Sequence, residues 1–332
     1  MNQVMEAQER LFNMIKSHIP EQSRLVDVIG ESLQVGADSA YRRIRGEKEL
    51  SFSELRNLCH TFHLSMDELL NYDSEQGALF RYTSIKAEQP NYVRYIKQLL
   101  ETFKAPVAVD DRELFFTAQD IPFYHFLNQE QLLLFKLYVC YDSSTPERIS
   151  FREFYDRMDL DVCLPLHEQL LREYQQIPSK EIWTEQTVNT ILHLLDFYME
   201  IGAFDSKTIL LLLRQLLELL DRISHSAEIG YKDAERHTPF SLYICSIDPG
   251  SSMVLARHGS EWMCTVKLYT ANCVTTNNIA LCNETRKWIN NLIMKSSLIS
   301  GGTSERERFR FFQTSKDKVE ALIRKAEQIK FS

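Results

Sequence analysis

The chain has 332 residues and a net charge of −8, and 44% of its residues are hydrophobic. This length predicts two or three domains, and the composition excludes a largely disordered chain. The negative charge excludes a protein that binds nucleic acid over its whole surface, so any such contact must be local. Only ten glycines are present, which favours a mainly α-helical fold over a glycine-rich α/β enzyme.

Cysteine usage and hydropathy indicate the compartment. The seven cysteines form no CxxC pair, which favours free thiols in a reducing compartment over a disulfide framework. The N-terminal residues are acidic and lack the apolar core of a signal peptide. The longest apolar run, residues 209–220, is shorter than the roughly 20 residues that a membrane span needs. We therefore expect a cytoplasmic protein with no membrane partner.

Residues 1–75 have the apolar periodicity of five short helices. The first helix is expected from about Gln8 to His18. In residues 25–33 the apolar side chains follow the i, i+3, i+4, i+8 spacing of an amphipathic second helix. Residues 34–36 interrupt this pattern and predict a turn before the third helix.

Start and stop signals mark the other three helices of this region. Asp38 or Ser39 is expected to cap the third helix, which ends at Gly46, a residue suited to a left-handed C-terminal position. The fourth and fifth helices begin at the capping boxes Ser51–Glu54 and Ser65–Glu68, where serine and glutamate satisfy each other's backbone donors. Five helices of this length predict a compact bundle.

Four stretches of the bundle follow one another in a distinctive order: Leu33–Val35, Ala40–Gly46, Leu50–Leu55 and Phe62–Leu70. They resemble the Cro/repressor-type (XRE-like) helix-turn-helix family, and most closely the BetR-like regulators. The resemblance implies a bacterial regulator with a five-helix lambda-repressor-like domain that binds double-stranded DNA. The family usually has Gly at the position of Gln34 and Ser or Thr at that of Gly36. A left-handed Gln costs about 1 kcal/mol relative to Gly.

The third helix is the expected recognition helix. Ala40 and Ile44 are expected to face the core, which places the arginines of this segment on the opposite surface. Guanidinium groups bond guanine O6 and N7 in the major groove and also contact phosphates. By analogy with the family, the residues expected at base edges are Ser39, Tyr41 and Arg42. The residues expected at the DNA backbone are Arg43, Arg45 and Lys48, with Gln22 and Ser23 at the start of the second helix.

Residues 76–235 are expected to form an all-helical middle domain used for dimerisation or sensing. No repeat of about 34 residues supports a tetratricopeptide array. Residues 105–109 and 114–117 are either two short strands or a loop. Asn128 is expected to cap a buried helix, and Ser150–Glu153 forms another capping box.

Two features of the middle region have alternative interpretations. Residues 210–220 are apolar on more than one stripe, so they form either a dimerisation helix or a core helix. A set of aromatic side chains forms either a ligand or peptide groove or, more often at helical spacing, the core: Tyr124, Phe126, Phe135, Tyr138, Phe197 and Tyr198.

Residues 236–332 are expected to form a small α+β domain. Strands are predicted, with turns between them, at residues 242–247, 253–256, 261–269 and 309–312. Helices are predicted from Asn283 to Met294, with Asn283 as the cap, and from residue 317 to 330.

Motifs for catalysis are missing from the sequence. Cys59, His60 and His63 form the one tight Cys/His cluster, but Cys59 is needed inside the helical bundle. Cys245, Cys264 and Cys273 fall on predicted strands without metal-ligand spacing. We find no phosphate-binding loop, dinucleotide fingerprint, H-E-x-x-H or G-x-S-x-G motif. The expectation is a non-enzyme without catalytic residues, cofactor or metal.

The sequence thus predicts a sequence-specific transcription regulator that acts as a homodimer. Half-sites one helical turn apart follow from the motif, and the C-terminal two-thirds is the expected site of a small-molecule or peptide effector. The alternative is a protein–protein interaction module, or a solvated basic helix face paired with Glu31, Glu47 and Glu49. An exposed basic strip on the third helix favours DNA, whereas burial of that face against other helices favours a protein partner.

Overall fold

The computed structural model describes residues 3–19, 23–62, 64, 66, 77–88, 90–104, 111–233, 235, 237–302 and 304–329. The chain divides into two compact units, unit 1 (Met1–Leu79) and unit 2 (Phe80–Ser332). Within the described residues it is mostly helical, with twelve α-helices and one eight-stranded mixed sheet. The expectation of a mainly α fold is confirmed. None of the described helices is long and apolar enough to cross a lipid bilayer.

Unit 1 is a helical bundle. Its described helices are α1 (Gln3–His18), α2 (Leu25–Leu33), α3 (Ala37–Ile44) and α4 (Phe52–Thr61). They enclose a small apolar core made of Leu11, Phe12, Ile15, Val26, Ile29, Ala40, Leu58 and Cys59. The predicted fifth helix and its Ser65–Glu68 capping box lie, apart from Met66, outside the described residues.

The turns of unit 1 follow the predicted chemistry except at the start of α3. Gln34 is left-handed, with φ of +54°, and Gly46 is left-handed after α3, with φ of +73°. Ser51 and Glu54 form the predicted capping box. The prediction that Asp38 or Ser39 caps α3 is wrong, because α3 begins after Gly36 and has no side-chain cap.

Unit 2 contains the other eight helices. They are α5 (Asn91–Lys104), α6 (Glu130–Ser144), α7 (Phe151–Arg157), α8 (Leu160–Gln175), α9 (Asn189–Glu200), α10 (Ser206–Ile229), α11 (Ile279–Met294) and α12 (Glu305–Ile329). A short 3₁₀ helix spans Phe123–Phe126. The predicted capping box at Ser150 and Glu153 is present at the start of α7.

The sheet of unit 2 draws strands from most of its length. They are β1 (Arg81–Thr83), β2 (Arg112–Ala118), β3 (Ser179–Trp183), β4 (Phe240–Ile244), β5 (Met253–His258), β6 (Glu261–Lys267), β7 (Cys273–Thr276) and β8 (Ser297–Leu298). Their order is β1-β7-β6-β5-β2-β3-β4-β8. The pairs β2–β3 and β3–β4 are parallel, and the other pairs are antiparallel.

This sheet corrects the predicted domain boundary between residues 235 and 236. Ser179 of β3 pairs with Phe240 of β4, so the supposed all-helical middle domain and the supposed α+β domain share one sheet. The strand β3 escaped prediction because it begins with the polar residues Ser179, Lys180 and Glu181, whereas a parallel strand covered on both faces is typically a continuous apolar run. Residues 80–332 form one compact unit instead of two.

Helices cover both faces of the sheet. Leu114 and Phe116 of β2 pack into the large core formed with helices α5 to α10 and α12. Phe115 points to the other face, where Ile289 and Leu292 of α11 cover it. Successive residues of β2 therefore pack into the two cores on opposite faces of the sheet, as expected from the alternating side-chain directions of a strand.

One predicted strand and two predicted caps in unit 2 are wrong, and one open alternative is decided in part. Residues 309–312 belong to the long helix α12 and not to a strand. The predicted caps are displaced: α6 follows Gln129 with no side-chain cap, and Asn278 caps α11 by accepting from the Leu281 amide. Residues 105–109 lie outside the described residues, whereas residues 114–117 lie in β2.

Both alternatives for the middle region are decided in favour of the core. On α10, Leu212, Leu213 and Leu216 are fully buried inside unit 2, whereas Leu211 is exposed. Of the six candidate groove aromatics, four are buried, Tyr124 is partly buried and only Phe197 is exposed. Helix α10 and most of these rings therefore form the interior of unit 2.

A carboxylate is buried at the centre of the sheet. Glu181 of β3 is fully buried and bonded by Tyr174 at 2.8 Å, Trp183 at 2.9 Å and His125 at 3.0 Å. Burial alone would raise the pKa of the Glu181 carboxyl, but His125 and Tyr174 hold that pKa below its ordinary value. The carboxylate thus joins β3 to α8 and to the 3₁₀ helix.

His167 makes the stability of unit 2 sensitive to pH. Its ring is buried, its Nε2 lies 2.7 Å from the hydroxyl of Tyr92, and burial lowers its pKa from 6.5 to about 4. As the pH falls, His167 therefore takes up a proton in the unfolded chain before it does so in the folded chain. The stability contributed by the neutral ring is complete above about pH 6.5 and is lost as the pH falls towards about 4.

We expect His167→Gln, which keeps a partner for Tyr92 but cannot be protonated, to flatten this pH dependence. The loss of unfolding free energy between about pH 6.5 and pH 4.5 should shrink by on the order of 2 kcal/mol. Urea unfolding followed by tryptophan fluorescence measures it, since Trp183, Trp262 and Trp288 all lie in unit 2. An unchanged pH profile in the variant would contradict the assignment.

Candidate nucleic-acid interface

A buried glutamine sets the position of α3. The Nε2 of Gln8 on α1 donates to the carbonyl oxygens of Arg43 and Lys48, both at 2.8 Å, and its Oε1 accepts from the Leu50 amide at 2.9 Å. Its side chain thereby satisfies three backbone groups, one in the last turn of α3 and two between α3 and α4, which otherwise need partners once buried. Sequence reasoning missed this role because the partners are at least 35 residues away.

The turn between α2 and α3 sets their angle. The left-handed Gln34 ends α2, and its amide donates to the carbonyl oxygen of Glu31 at 3.2 Å. Ala40 then packs into the core next to Ile29 and Leu58. Asn57 of α4 donates to the Ser32 carbonyl at 2.7 Å. Helix α3 is therefore held by α1, α2 and α4, with one long side facing solvent.

Arg43 does not lie on that exposed side, so its expected contact with phosphate is corrected. Its side chain is only 4% exposed and its Nη2 lies 2.5 Å from Oε1 of Glu54. Its Nη1 donates to the carbonyl oxygen and the hydroxyl of Ser39 at 3.0 and 2.6 Å. Arg43 lies three residues after Ala40, which is the same face of a helix. Its guanidinium group therefore holds α3 to α4.

Glu54 takes part in two structures at once. Its Oε2 accepts from the Ser51 amide at 2.9 Å in the capping box, while Oε1 receives Arg43. Burial alone would raise the pKa of Glu54, but the bonds from Arg43 and Ser51 hold that pKa below its ordinary value. The capping box was visible in the sequence, but the ion pair between residues eleven positions apart was not.

The exposed side of α3 and the turn after it carries three cations and one aromatic ring. We call it the α3 surface; it consists of Tyr41, Arg42, Arg45 and Lys48. The side chains of Arg42 and Arg45 are 64% and 68% exposed. Tyr41 is 44% exposed, and the guanidinium carbon of Arg45 lies 5.7 Å from the centre of its ring. Their donors are available to a bound molecule.

Glu47 lies within this cluster of cations. Its carboxylate is 3.9 Å from Arg42 Nε and 3.8 Å from Arg45 Nη1. Exposed pairs at such distances contribute little, typically under about 1 kcal/mol. Among the described ion pairs, none joins these arginines to Glu31 or Glu49. Of the three glutamates expected to pair with this basic face, only Glu47 therefore lies near its arginines among the described ion pairs.

The remaining candidate contacts have mixed positions. Ser39 is partly buried and its hydroxyl receives Arg43, so it is less accessible than the α3 surface. Ser23 is exposed just before α2. Gln22 lies outside the described residues.

Signs of a metal centre are missing from the described part of the chain. No group of three or more His, Cys, Asp or Glu side chains there could hold an ion. Cys59 is buried in the core of unit 1, and His63 lies outside the described residues. All seven cysteines are free thiols.

Comparison with known proteins adds no relative to this picture. A scan against family models and searches of curated proteins and of solved structures found no match to the chain.

Proposed function

We propose that unit 1 is a sequence-specific DNA-binding domain of the Cro/repressor type and that the chain is a transcription regulator. The observation that carries the proposal is the α3 surface, where Tyr41 and Arg42 of the helix and Arg45 and Lys48 just after it are exposed, behind the turn that ends at Gly36. Such a helix fits the major groove, where arginine can discriminate guanine by about 1–3 kcal/mol per good bidentate pair.

The arrangement suits local contact with DNA in an otherwise acidic chain. The net charge of −8 opposes binding away from the α3 surface. Three exposed cations contact few phosphates, so one copy would bind weakly, whereas two copies in a dimer neutralise more phosphates and lose affinity more steeply with salt. We infer that the regulator acts as a homodimer whose two α3 helices read half-sites about 34–36 Å apart. A cytoplasmic location, which suits seven free thiols, belongs to the same proposal.

The second candidate is a protein–protein interaction module. Phe52, the first residue of α4, is 70% exposed, and Tyr41 on α3 is 44% exposed. Exposed aromatic rings of this kind are enriched where proteins bind one another. The exposed guanidinium groups of Arg42 and Arg45 favour DNA over this alternative, because a basic strip free of other helices was the feature expected to distinguish the two.

Selection from a random pool of double-stranded DNA with the purified full-length chain tests the proposal. We expect enrichment of one sequence that contains two half-sites about 10 base pairs apart. Its affinity should fall linearly with the logarithm of salt concentration, with a slope of about −0.9 per neutralised phosphate. A pool without enrichment, or an affinity indifferent to salt, would instead support the interaction module.

A further inference from the structure

Glu47 lies between the two exposed arginines of the α3 surface. It follows Gly46, whose left-handed conformation turns the chain after α3. The amide of the next residue, Lys48, donates to the carbonyl oxygen of Arg42 at 3.1 Å, and the Lys48 carbonyl oxygen accepts from Gln8 at 2.8 Å. The backbone is therefore held close to Glu47, and its side chain starts from a defined position beside α3.

The carboxylate of Glu47 is placed to accept a hydrogen bond from a bound molecule. Its side chain is 51% exposed, and its oxygens lie 3.9 Å from Nε of Arg42 and 3.8 Å from Nη1 of Arg45. Hydrogen bonds from N–H groups span about 2.7–3.2 Å, so the two arginines attract the carboxylate by charge and leave its oxygens available. An ionised carboxylate has acceptors and no donor. Glu47 therefore needs a donor group on its partner.

Arg42 can still bind guanine while Glu47 lies beside it. Its side chain is 64% exposed, and its nearest atom to Glu47 is Nε, so its two terminal nitrogens point away from the carboxylate. Such a fork bonds O6 and N7 of guanine. Neighbouring base pairs are about 3.4 Å apart, which is close to the 3.9 Å between Arg42 Nε and the carboxylate. Arg42 on a guanine therefore brings Glu47 level with the next base pair.

In the major groove, one base presents a donor without an acceptor beside it. Guanine presents the acceptors N7 and O6 there, and thymine presents O4 and a methyl group. Adenine presents its N6 donor next to the acceptor N7, whereas cytosine presents the N4 donor alone. Acceptor atoms repel a carboxylate, so cytosine is the base that fits Glu47 best.

We propose that Glu47 is a specificity-determining residue that accepts a hydrogen bond from cytosine N4 in the base pair next to the guanine bound by Arg42. The proposal rests on DNA binding by the α3 surface and adds which base pair that surface selects. DNA phosphates repel a lone carboxylate, but Arg42, Arg45 and Glu47 together carry one positive charge. The cluster is attracted to DNA as a whole, while its negative member restricts which bases fit.

Selection from a random pool of double-stranded DNA, with the full-length wild type and with Glu47→Gln, tests the proposal. The wild type should enrich a site in which a cytosine lies in the base pair next to a guanine. Glutamine bonds adenine N6 and N7, so Glu47→Gln should replace this cytosine by adenine and keep the other positions of the site. In anisotropy titrations, changing the C·G pair to A·T should weaken the wild type by at least about fivefold and should not weaken the variant.

Three further variants complete the test. Glu49→Gln removes a carboxylate that is also exposed and that no described ion pair joins to Arg42 or Arg45. Both glutamine variants lose one negative charge, so both should bind DNA of any sequence a few-fold more tightly, but Glu49→Gln should keep the cytosine. Arg42→Ala marks the guanine, because the preference at that base pair should disappear. Glu47→Ala should lose the cytosine preference without gaining another, and it carries the test if Glu47→Gln does not fold.

The possible results distinguish base readout by Glu47 from DNA binding itself. If Glu47→Gln, folded by far-UV circular dichroism, enriches the same site with the same cytosine, the proposal is overturned while DNA binding by α3 stands. A wild-type site without cytosine next to the guanine that Arg42→Ala marks has the same consequence. A wild-type pool without enrichment overturns the proposed function and the role of Glu47 with it.

Discussion

Replacing Arg42 and Arg45 together by alanine is expected to weaken binding of the full-length chain to its selected DNA by about a hundredfold or more. Both guanidinium groups are exposed on the α3 surface, and each good arginine–guanine contact contributes about 1–3 kcal/mol. If one or both arginines contact phosphates instead, the slope of log affinity against log salt should fall by about 1 for each. Fluorescence anisotropy titrations at several salt concentrations measure both quantities.

The control variant removes the same charge elsewhere. The double variant Lys16→Ala, Lys287→Ala removes two exposed lysines that lie outside the α3 surface. It should therefore weaken DNA binding far less. Far-UV circular dichroism of the Arg42/Arg45 variant should match that of the wild type, because neither side chain contributes to the core. Wild-type affinity in the Arg42/Arg45 variant would refute the groove-binding role of α3.

Arg43→Ala is expected to unfold unit 1 at moderate temperature, although it lies next to Arg42 in the sequence. The change leaves Glu54 without its ion pair and Ser39 without its donor. Breaking a buried ion pair typically costs about 3–5 kcal/mol. We expect about 2–3 kcal/mol here, since Glu54 is 21% exposed and keeps its bonds at Ser51. That is a large part of the stability of so small a core.

The two units can be followed separately in this experiment. All three tryptophans lie in unit 2, so thermal unfolding by tryptophan fluorescence should be unchanged in Arg43→Ala. Far-UV circular dichroism should show an earlier transition for the helices of unit 1. Arg42→Ala, the neighbouring control, should change the free energy of unfolding of either unit by no more than about 0.5 kcal/mol. An Arg43 variant as stable as Arg42→Ala would show that the ion pair to Glu54 is not structural.

Local signals were enough to describe most of unit 1. The turn at Gln34, the left-handed Gly46 and the capping box at Ser51 all depend on residues within a few positions of one another. The burial of Arg43 was also within reach, because the period of the helix places it beside Ala40. Its charge favours exposure, but its position on the face of Ala40 decides its burial.

Unit 2 shows where local signals fail. The aromatic run at residues 309–312 has the composition of a strand, yet packing places it in α12. Strand β3 is parallel to β2 and β4, each more than 50 residues away in sequence. Such pairing depends on contacts between distant residues and not on any local pattern. The boundary expected near residue 235 followed from a local change of composition and therefore cut through one sheet.

The sequence by itself determined the four described helices of unit 1, the capping boxes at Ser51 and Ser150 and the basic segment of α3, because each depends on interactions between neighbouring residues. Only the tertiary structure decided that Arg43 binds Glu54 while Arg42 and Arg45 stay exposed. It also decided that strands far apart in sequence form one sheet. The physical reason is the same in each case: burial and partner choice depend on which distant segments pack together.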